Sequence, residues 1–301
     1  MPEANSGGLP ICFQTEGDPA GPPLLLVAGL GAQLTWWPSG LRAALADQGF
    51  FVIRYDNRDA GESAWLDETG EADLLAVLAG TARPPYLLAD MAADGVAVLD
   101  ALGLSSAHVL GVSMGGMIAQ AIAIEHADRV RTLTSAMSTT GAPAVGQPRP
   151  DIIEMLLSPR PPDRAAAIDQ GVELSRAISS PAFGFDEPET RARTSAEYDR
   201  GNHPAGAGRQ LAAILASGDR SAALRTLALP VLVLHGDADP MVDVSGGRAT
   251  AAAIPGARLW VVPGLGHDLP PALFDEIAGA VAALAEQAGE VVGRIGTPAA
   301  D

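Results

Sequence analysis

The fold is decided by the stretch His108-Val109-Leu110-Gly111-Val112-Ser113-Met114-Gly115. It begins with a short apolar run and continues into the pattern G-x-S-x-G at 111–115. An apolar, helix-like segment from Met117 to Ile124 follows. A serine between glycines at a strand-to-helix junction is typical of a nucleophile, because the sharp turn lifts the hydroxyl out of the backbone. The alternative is a serine that only caps a helix. The strand–turn–helix context favours the nucleophile.

Further apolar runs lie on both sides of this stretch and predict strands of a parallel sheet, buried on both faces. Helix-like segments, Leu41 to Gln48 and Leu87 to Leu102, separate several of them. Alternation of this kind predicts an α/β fold with a mostly parallel, doubly wound sheet. A hairpin around Ile11 to Thr15 is also expected. The other predicted strands are Leu24 to Ala28, Phe50 to Ile53, Val130 to Thr134, Val231 to Leu234 and Leu259 to Val262.

The alternation stops after Met137, and residues 141–225 contain no clear buried strand. This stretch has amphipathic segments, Asp151 to Leu157 and Ala207 to Ala216, which predict a helical cap over the sheet. The alternative is a set of ordinary long connections, but such long structureless loops are uncommon in compact domains. We therefore expect a core at 1–140 and 226–301 with the cap between them, and a frayed tail at 294–301.

A serine nucleophile needs a base, and the chain has five histidines: His108, His126, His203, His235 and His267. His267 is the best candidate, because it lies in a glycine-containing loop just past the last predicted strand, where α/β sheets gather functional residues. The alternative is a solvated loop residue. His108 and His235 are expected to be packed, His126 to face solvent, and the role of His203 is open.

The base needs an orienting carboxylate, and two aspartates follow the strand at 231–234. Asp239 is preferred, since a turn stabilised by its own aspartate side chain would explain Asp237. The chain order Ser113, Asp239, His267 is the order expected for the α/β-hydrolase architecture. The predicted catalytic residues are therefore Ser113, Asp239 and His267.

Two backbone amides are predicted to form an oxyanion hole: that of Met114, directly after the serine, and that of Leu30, in the turn after the first long strand. Trp36 and Trp37 follow this turn and are predicted to bind substrate by walling an apolar pocket. Core packing is an equally good explanation for one of them. Met155, Phe183 and Phe185 are further candidates from the cap.

Composition limits the partners of this chain of 301 residues. It has 19 basic and 36 acidic residues, so its formal charge is 19 − 36 = −17, and every basic residue is arginine. This charge argues against binding to nucleic acid or to anionic membranes. A single cysteine, Cys12, excludes an internal disulfide and a cysteine-rich metal site. We found no secretory signal or membrane span, so we expect a cytoplasmic protein.

Together these residues resemble the α/β-hydrolase superfamily over nearly the whole chain. Residues 54–63 also resemble the family segment D-x-R-G-x-G-x-S, although Asp59 replaces its first glycine. Within the superfamily, residues 55–63, 111–115 and 266–270 are most similar to anthracycline (aclacinomycin-type) methylesterases. The oxyanion turn departs from the frequent His-Gly start, since it has Ala28-Gly29. Dehalogenases and epoxide hydrolases of this fold carry an aspartate where this chain has Ser113.

The sequence therefore predicts a serine esterase that cleaves a carboxylic ester of a small hydrophobic molecule, such as the methyl ester of a polyketide-like compound. The chemistry needs no metal and no cofactor. Cleavage of a C–C bond, a thioester or a lactone by the same three residues remains an alternative, because the difference lies in pocket shape. A non-catalytic ligand-binding module is the other alternative. The sequence does not predict the oligomeric state.

Overall fold

The apolar runs of the sequence form one eight-stranded sheet. The computed structural model describes residues 1–289; the tail predicted at 294–301 lies outside the described residues. The strands are β1 (Glu3–Ser6), β2 (Leu9–Glu16), β3 (Pro23–Val27), β4 (Phe51–Tyr55), β5 (Ala107–Val112), β6 (Val130–Ala136), β7 (Val231–Gly236) and β8 (Arg258–Val262). Their order across the sheet is β1, β2, β4, β3, β5, β6, β7, β8.

The sheet is mostly parallel, as predicted. Strands β1 and β2 form an antiparallel hairpin, and β2 also pairs antiparallel with β4. All pairs from β4 to β8 are parallel. Every residue of β3, β5 and β7 is buried, because helices cover both faces of the central strands. Burial on both faces explains why these strands are continuous apolar runs in the sequence.

Helices pack on both faces of the sheet and bury two separate apolar clusters. Leu25 of β3 lies in the cluster that contains Val98 and Ile118, whereas Leu24 lies in the opposite cluster with Leu45 and Val281. Successive strand residues point to opposite faces, which explains this division. The helices are α1 (Ser39–Asp47), α2 (Leu74–Leu78), α3 (Leu88–Ala101), α4 (Met114–Glu125), α5 (Pro150–Leu157), α6 (Arg164–Ile178), α7 (Glu187–Gly201), α8 (Pro204–Ser217), α9 (Ser221–Leu224), α10 (Ser245–Ala253) and α11 (Phe274–Gln287). None of the helices within residues 1–289 is long and apolar enough to cross a membrane.

A helical insertion, residues 141–225, separates β6 from β7. It contains α5 to α9, and it forms no strand. Ion pairs of two arginines, Arg200 and Arg209, join it to a loop of the core. Arg200 of α7 binds Asp56, with 2.6 Å between Nη2 and Oδ2. Arg209 of α8 binds Asp59 through two hydrogen bonds of 2.6 and 2.8 Å. These four side chains attach the insertion to the loop that follows β4.

Asp59 occupies the position at which the resemblance predicts a glycine. Its φ is +66°, a left-handed conformation that glycine, asparagine and aspartate tolerate better than other residues. Its carboxylate also accepts hydrogen bonds from Tyr86 Oη (2.7 Å) and from the amide of Leu66 (2.8 Å). The departure from glycine therefore supplies a buried anion that holds Arg209.

Candidate active site

Ser113 stands at the junction of β5 and α4 in a strained conformation. Its φ is +60° and its ψ −124°, a region that non-glycine residues rarely adopt. A Cβ atom on Gly111 would lie 2.0 Å from the carbonyl oxygen of Gly115, and one on Gly115 would lie 2.0 Å from that of Val27. Only glycine fits at either position. The turn therefore packs tightly enough to hold the serine in this conformation.

Neighbouring groups fix the backbone of Ser113. Its amide donates to the carbonyl of Ala136 at the end of β6 (2.9 Å), and its carbonyl accepts from Ser138 Oγ (2.8 Å). The side chain is half-buried at the N-terminus of α4. The free amides of a helix N-terminus favour negative charge. The serine oxygen is accordingly placed where developing negative charge is stabilised.

His267 and Asp239 form a buried hydrogen-bonded pair. His267 Nδ1 lies 2.8 Å from Asp239 Oδ2. Because a carboxylate only accepts, Nδ1 carries the proton, and Nε2 of a neutral ring is left as the acceptor. The amide of His267 donates to the carbonyl of Ile178, at the end of α6 (2.7 Å). The helical insertion therefore helps to position the histidine.

Asp239 is fixed from its other oxygen, because Oδ1 accepts from the amides of Met241 and Val242, each at 2.9 Å. His235 lies beside this group, with Nε2 2.8 Å from the carbonyl of Val242 and 3.5 Å from Asp239 Oδ2. Burial lowers the pKa of His235, which favours its neutral ring. His235 is fully buried, as the sequence predicts, and it lies next to Asp239.

Asp237 supports the loop that carries His267. Its Oδ1 accepts from the amide of Gly264 at 2.6 Å. The same loop is bound to the insertion through Ser180, whose Oγ accepts from the amide of Gly266 (2.8 Å) and donates to Asp268. Asp237 therefore stabilises the loop that carries His267, whereas Asp239 binds His267 itself.

Topology places the three predicted catalytic residues at one edge of the sheet. Ser113 follows β5, Asp239 follows β7 and His267 follows β8. These strands are parallel and lie in the order β5, β6, β7, β8. Their carboxyl ends therefore share an edge, where α/β sheets bind ligands.

The predicted oxyanion turn lies against the serine. A Cβ atom on Gly29 would lie 3.3 Å from Ser113 Cβ and 3.8 Å from its Oγ. The amide of Met114 is the first of α4 and so has no intrahelical acceptor. Within residues 1–289, the amide of Leu30 makes no backbone hydrogen bond. Two amides free to donate beside a serine hydroxyl have the chemistry that an oxyanion requires.

Two glutamines tie the oxyanion turn to the insertion, and the sequence analysis missed both. Gln210 of α8 accepts from the amide of Gly31 (2.8 Å) and donates to the carbonyl of Arg58 (2.7 Å). Gln33 donates to the carbonyls of Glu197 (2.7 Å) and Gly201 (2.9 Å) in α7. No local pattern marks a glutamine that bonds more than 150 residues away, so only the structure identifies them.

A cavity of about 640 Å³ lies between the oxyanion turn and the insertion. Its lining includes Leu30 and Gly31 of the turn, and Ile178, whose carbonyl binds the amide of His267. Ser113 and His267 are not among the lining residues. Ser113 lies against Gly29, which directly precedes Leu30, and His267 binds Ile178. Apolar side chains that line it include Trp36, Leu74, Met155, Leu156, Leu174 and Leu211.

The predicted pocket residues separate into two groups. Trp36 and Met155 line the cavity, whereas Trp37 is 1% exposed and packs in the core with Leu41. Phe183 packs against the same core cluster, and Phe185 lies under the guanidinium of Arg176. Core packing therefore accounts for Trp37, which does not line the cavity.

The remaining histidines and the cysteine have other surroundings. His108 is fully buried, with Nδ1 2.8 Å from Thr132 Oγ1. His126, expected to face solvent, is half-buried at the end of α4. His203 stacks on Trp65 with 4.2 Å between ring centroids. Burial raises the pKa of Cys12 to about 11, so this thiol is a poor nucleophile at neutral pH.

The fold and this site define a class of protein, the hydrolases whose serine stands on a strand-to-helix turn of a mostly parallel sheet. The family model of the alpha/beta hydrolase fold matches residues 22–270, and the chain belongs to that family. The predicted fold class and family resemblance are thereby confirmed.

Relatives in sequence include a methylesterase and an enol-lactonase. The chain is 31% identical to rhodomycin D methylesterase of Streptomyces peucetius over 290 residues, covering 89% of this chain and 92% of the relative. It is 27% identical to 3-oxoadipate enol-lactonase 2 of Acinetobacter baylyi, covering 78% of each. The predicted enzyme class, a carboxylic ester hydrolase, agrees with these similarities and with the fold.

Solved structures show the same fold. The enol-lactonase of Burkholderia xenovorans superimposes with a TM-score of 0.71 at 23% identity, covering 96% of this chain and all of that one. A 2-hydroxy-6-oxo-6-phenylhexa-2,4-dienoate hydrolase from Rhodococcus superimposes with a TM-score of 0.73 at 20% identity, covering 96% of this chain and 98% of that one.

Proposed function

We propose that this chain hydrolyses carboxylic esters through a covalent acyl-enzyme formed on Ser113. The observation that carries the proposal is the 2.8 Å bond between His267 Nδ1 and Asp239, at the sheet edge that also holds the strained Ser113. This bond leaves His267 Nε2 as the base. In the proposed reaction, Nε2 takes the proton of Ser113 while Oγ attacks the ester carbonyl.

The amides of Leu30 and Met114 stabilise the oxyanion of the tetrahedral intermediate in this proposal. The intermediate collapses, the C–O bond to the alcohol breaks, and His267 returns the proton to the leaving oxygen. A water molecule, deprotonated by the same Nε2, then attacks the acyl carbonyl. The bond to Ser113 Oγ breaks, Oγ takes the proton back from His267, and the acid is released. Asp239 stabilises the imidazolium at each step. The protons balance without a metal or a cofactor.

We further propose that the substrate is a methyl ester of a hydrophobic, polyketide-like small molecule, bound under the helical insertion acting as a cap. The 31% identity to a rhodomycin D methylesterase supports this substrate class. The cavity of about 640 Å³, with Trp36 and several leucines in its wall, has the size and character of a site for a drug-sized apolar ligand.

The nucleophile is tested by comparing wild type, Ser113→Ala and Ser105→Ala in the hydrolysis of short nitrophenyl esters. Ser113→Ala should lower kcat by about 10⁶, if the three residues act as a unit. Ser105 is exposed beyond α3, at the other end of β5, so its alanine variant should keep wild-type activity. Labelling by a fluorophosphonate probe is the second readout, and it should occur in wild type and in Ser105→Ala but not in Ser113→Ala. Equal hydrolysis by wild type and Ser113→Ala would eliminate this nucleophile, and ligand binding without any labelling would favour a non-catalytic module.

Lactone hydrolysis is the second candidate, since an enol-lactonase is among the relatives in sequence. A lactone is a cyclic ester, and the same serine, base and oxyanion amides would open it. The assay above, repeated with matched lactone and methyl ester substrates, separates the two by their kcat/KM ratio. A thioester in the same panel tests the remaining acyl-transfer alternative.

A further inference from the structure

Glu197 of α7 is a polar residue of the cavity wall that the proposed reaction does not use. Its Oε1 atom is buried and has no hydrogen-bond partner. A buried acceptor without a partner is energetically unfavourable. Such a group in the wall of a ligand cavity is a candidate for contact with the ligand.

The backbone fixes Glu197 relative to the reaction centre. Gln33, which follows the oxyanion turn at Leu30 along the chain, donates from Nε2 to the carbonyls of Glu197 and Gly201. Gln33 also accepts from Arg200 at 2.8 Å, and Arg200 binds Asp56. Gln33 therefore connects the helical turn that carries Glu197 to the oxyanion turn.

The charges around Glu197 favour a neutral ligand group over a cation. Burial raises the pKa of this carboxyl to about 7, although Arg193, Arg160 and Arg200 oppose the shift and Asp56 adds to it. Near neutral pH the carboxyl is therefore protonated in part of the molecules, and it both donates and accepts. Three arginines close to one carboxyl disfavour an incoming ammonium group.

We propose that Glu197 is a specificity-determining residue that hydrogen-bonds a hydroxyl group of the substrate, on a part of the substrate away from the ester bond. A hydroxyl accepts from the protonated carboxyl and donates to the ionised one, so it pairs with Glu197 in both states. The assignment rests on the ester hydrolase function proposed above, but binding itself requires no turnover.

The test uses the Ser113→Ala protein, so that ligands bind without being consumed. Methyl naphthoate and a set of its ring-hydroxylated derivatives are titrated, and Kd is measured by isothermal titration calorimetry. At least one hydroxylated derivative should bind about tenfold more tightly than the parent ester. Adding Glu197→Leu should reduce this preference to about one, whereas Glu197→Gln should keep most of it.

The ratio between ligands separates hydrogen bonding from structural damage. A damaged pocket weakens the parent and the hydroxylated ester alike, whereas loss of one hydrogen bond weakens only the hydroxylated one. Glu189→Leu is the matched control, because Glu189 lies exposed on the same helix. That variant should keep the full preference.

Two results would overturn the assignment: no hydroxylated derivative is preferred by the Ser113→Ala protein, or the preference survives Glu197→Leu unchanged. Failure of the proposed function looks different. If wild type hydrolyses none of these esters while Glu197→Leu still abolishes the hydroxyl preference, the hydrolase function fails and the binding role of Glu197 stands.

Discussion

Both carboxylate oxygens of Asp239 accept hydrogen bonds, and this arrangement determines which ring nitrogen of His267 carries the proton. Oδ1 accepts two backbone amides and Oδ2 faces His267 Nδ1. The carboxylate can satisfy all three donors because both of its oxygens are acceptors. A residue with only one acceptor oxygen cannot do so.

Asp239→Asn should therefore lower kcat by about 10⁴ with little change in stability. The amide oxygen will stay with the two backbone amides, so the NH₂ group will face Nδ1 and force the proton onto Nε2. Ester hydrolysis and thermal unfolding measure the two effects. Asp243→Asn is the control, since the carboxylate of Asp243 binds Ser245 and not His267. Similar losses in both variants would contradict the tautomer argument.

At the scale of elements, the insertion is held to the core by buried ion pairs. Arg209 of α8 is 1% exposed, and Asp59 binds it through both oxygens. Burial by itself would raise the pKa of Asp59, but hydrogen bonds from Arg209, Leu66 and Tyr86 outweigh it and hold that pKa below its usual value. The attachment of α8 therefore depends on an ionised Asp59.

Asp59→Asn should destabilise the protein by roughly 3–5 kcal/mol, because it leaves the buried charge of Arg209 without its anion. Urea unfolding followed by circular dichroism measures this change. Asp67→Asn is the matched control, since Asp67 lies 3.4 Å from Arg209 but is largely exposed; we expect less than about 1 kcal/mol there.

The ion pair of Asp59 and Arg209 makes the stability of the protein depend on pH. The depressed pKa of Asp59 contributes stability above the pKa of an unfolded aspartate, about 3.9, and this contribution is lost as the pH falls through the lower folded value. The difference between wild type and Asp59→Asn should therefore shrink below about pH 4. A difference that grew in acid would show that the pair is not ionised in the folded protein.

For the whole molecule, the dominant property is its charge of 19 − 36 = −17. Self-repulsion of this charge opposes the compact state, and salt screens it over about 10 Å at 0.1 M. Raising NaCl from about 10 mM to about 500 mM should raise Tm by a few degrees in calorimetry. A falling Tm would show that ion pairs, which salt weakens, outweigh the repulsion.

Local sequence patterns predict those structural features whose physical cause lies within a few residues of the chain. The apolar runs predicted the parallel strands, since burial on both faces selects such runs. The turn at 111–115 was predicted because a Cβ atom on either glycine would overlap backbone, a requirement visible in the sequence itself. The similarity of the chain to methylesterases agrees with the resemblance that these patterns indicate.

Local sequence patterns do not predict contacts between segments that are far apart in the chain. Trp36 and Trp37 are neighbours of the same type, yet one lines the cavity and the other fills the core. The bonds of Gln33 and Gln210 to remote backbone groups, and the burial of Glu197 in the cavity wall, follow from how the insertion packs on the core. The sequence by itself determined the sheet, the strained serine turn and the order of the three candidate catalytic residues, because backbone sterics and burial act locally. Only the tertiary structure decided which side chains meet across the cavity, because those contacts depend on the relative placement of helices that no local pattern encodes.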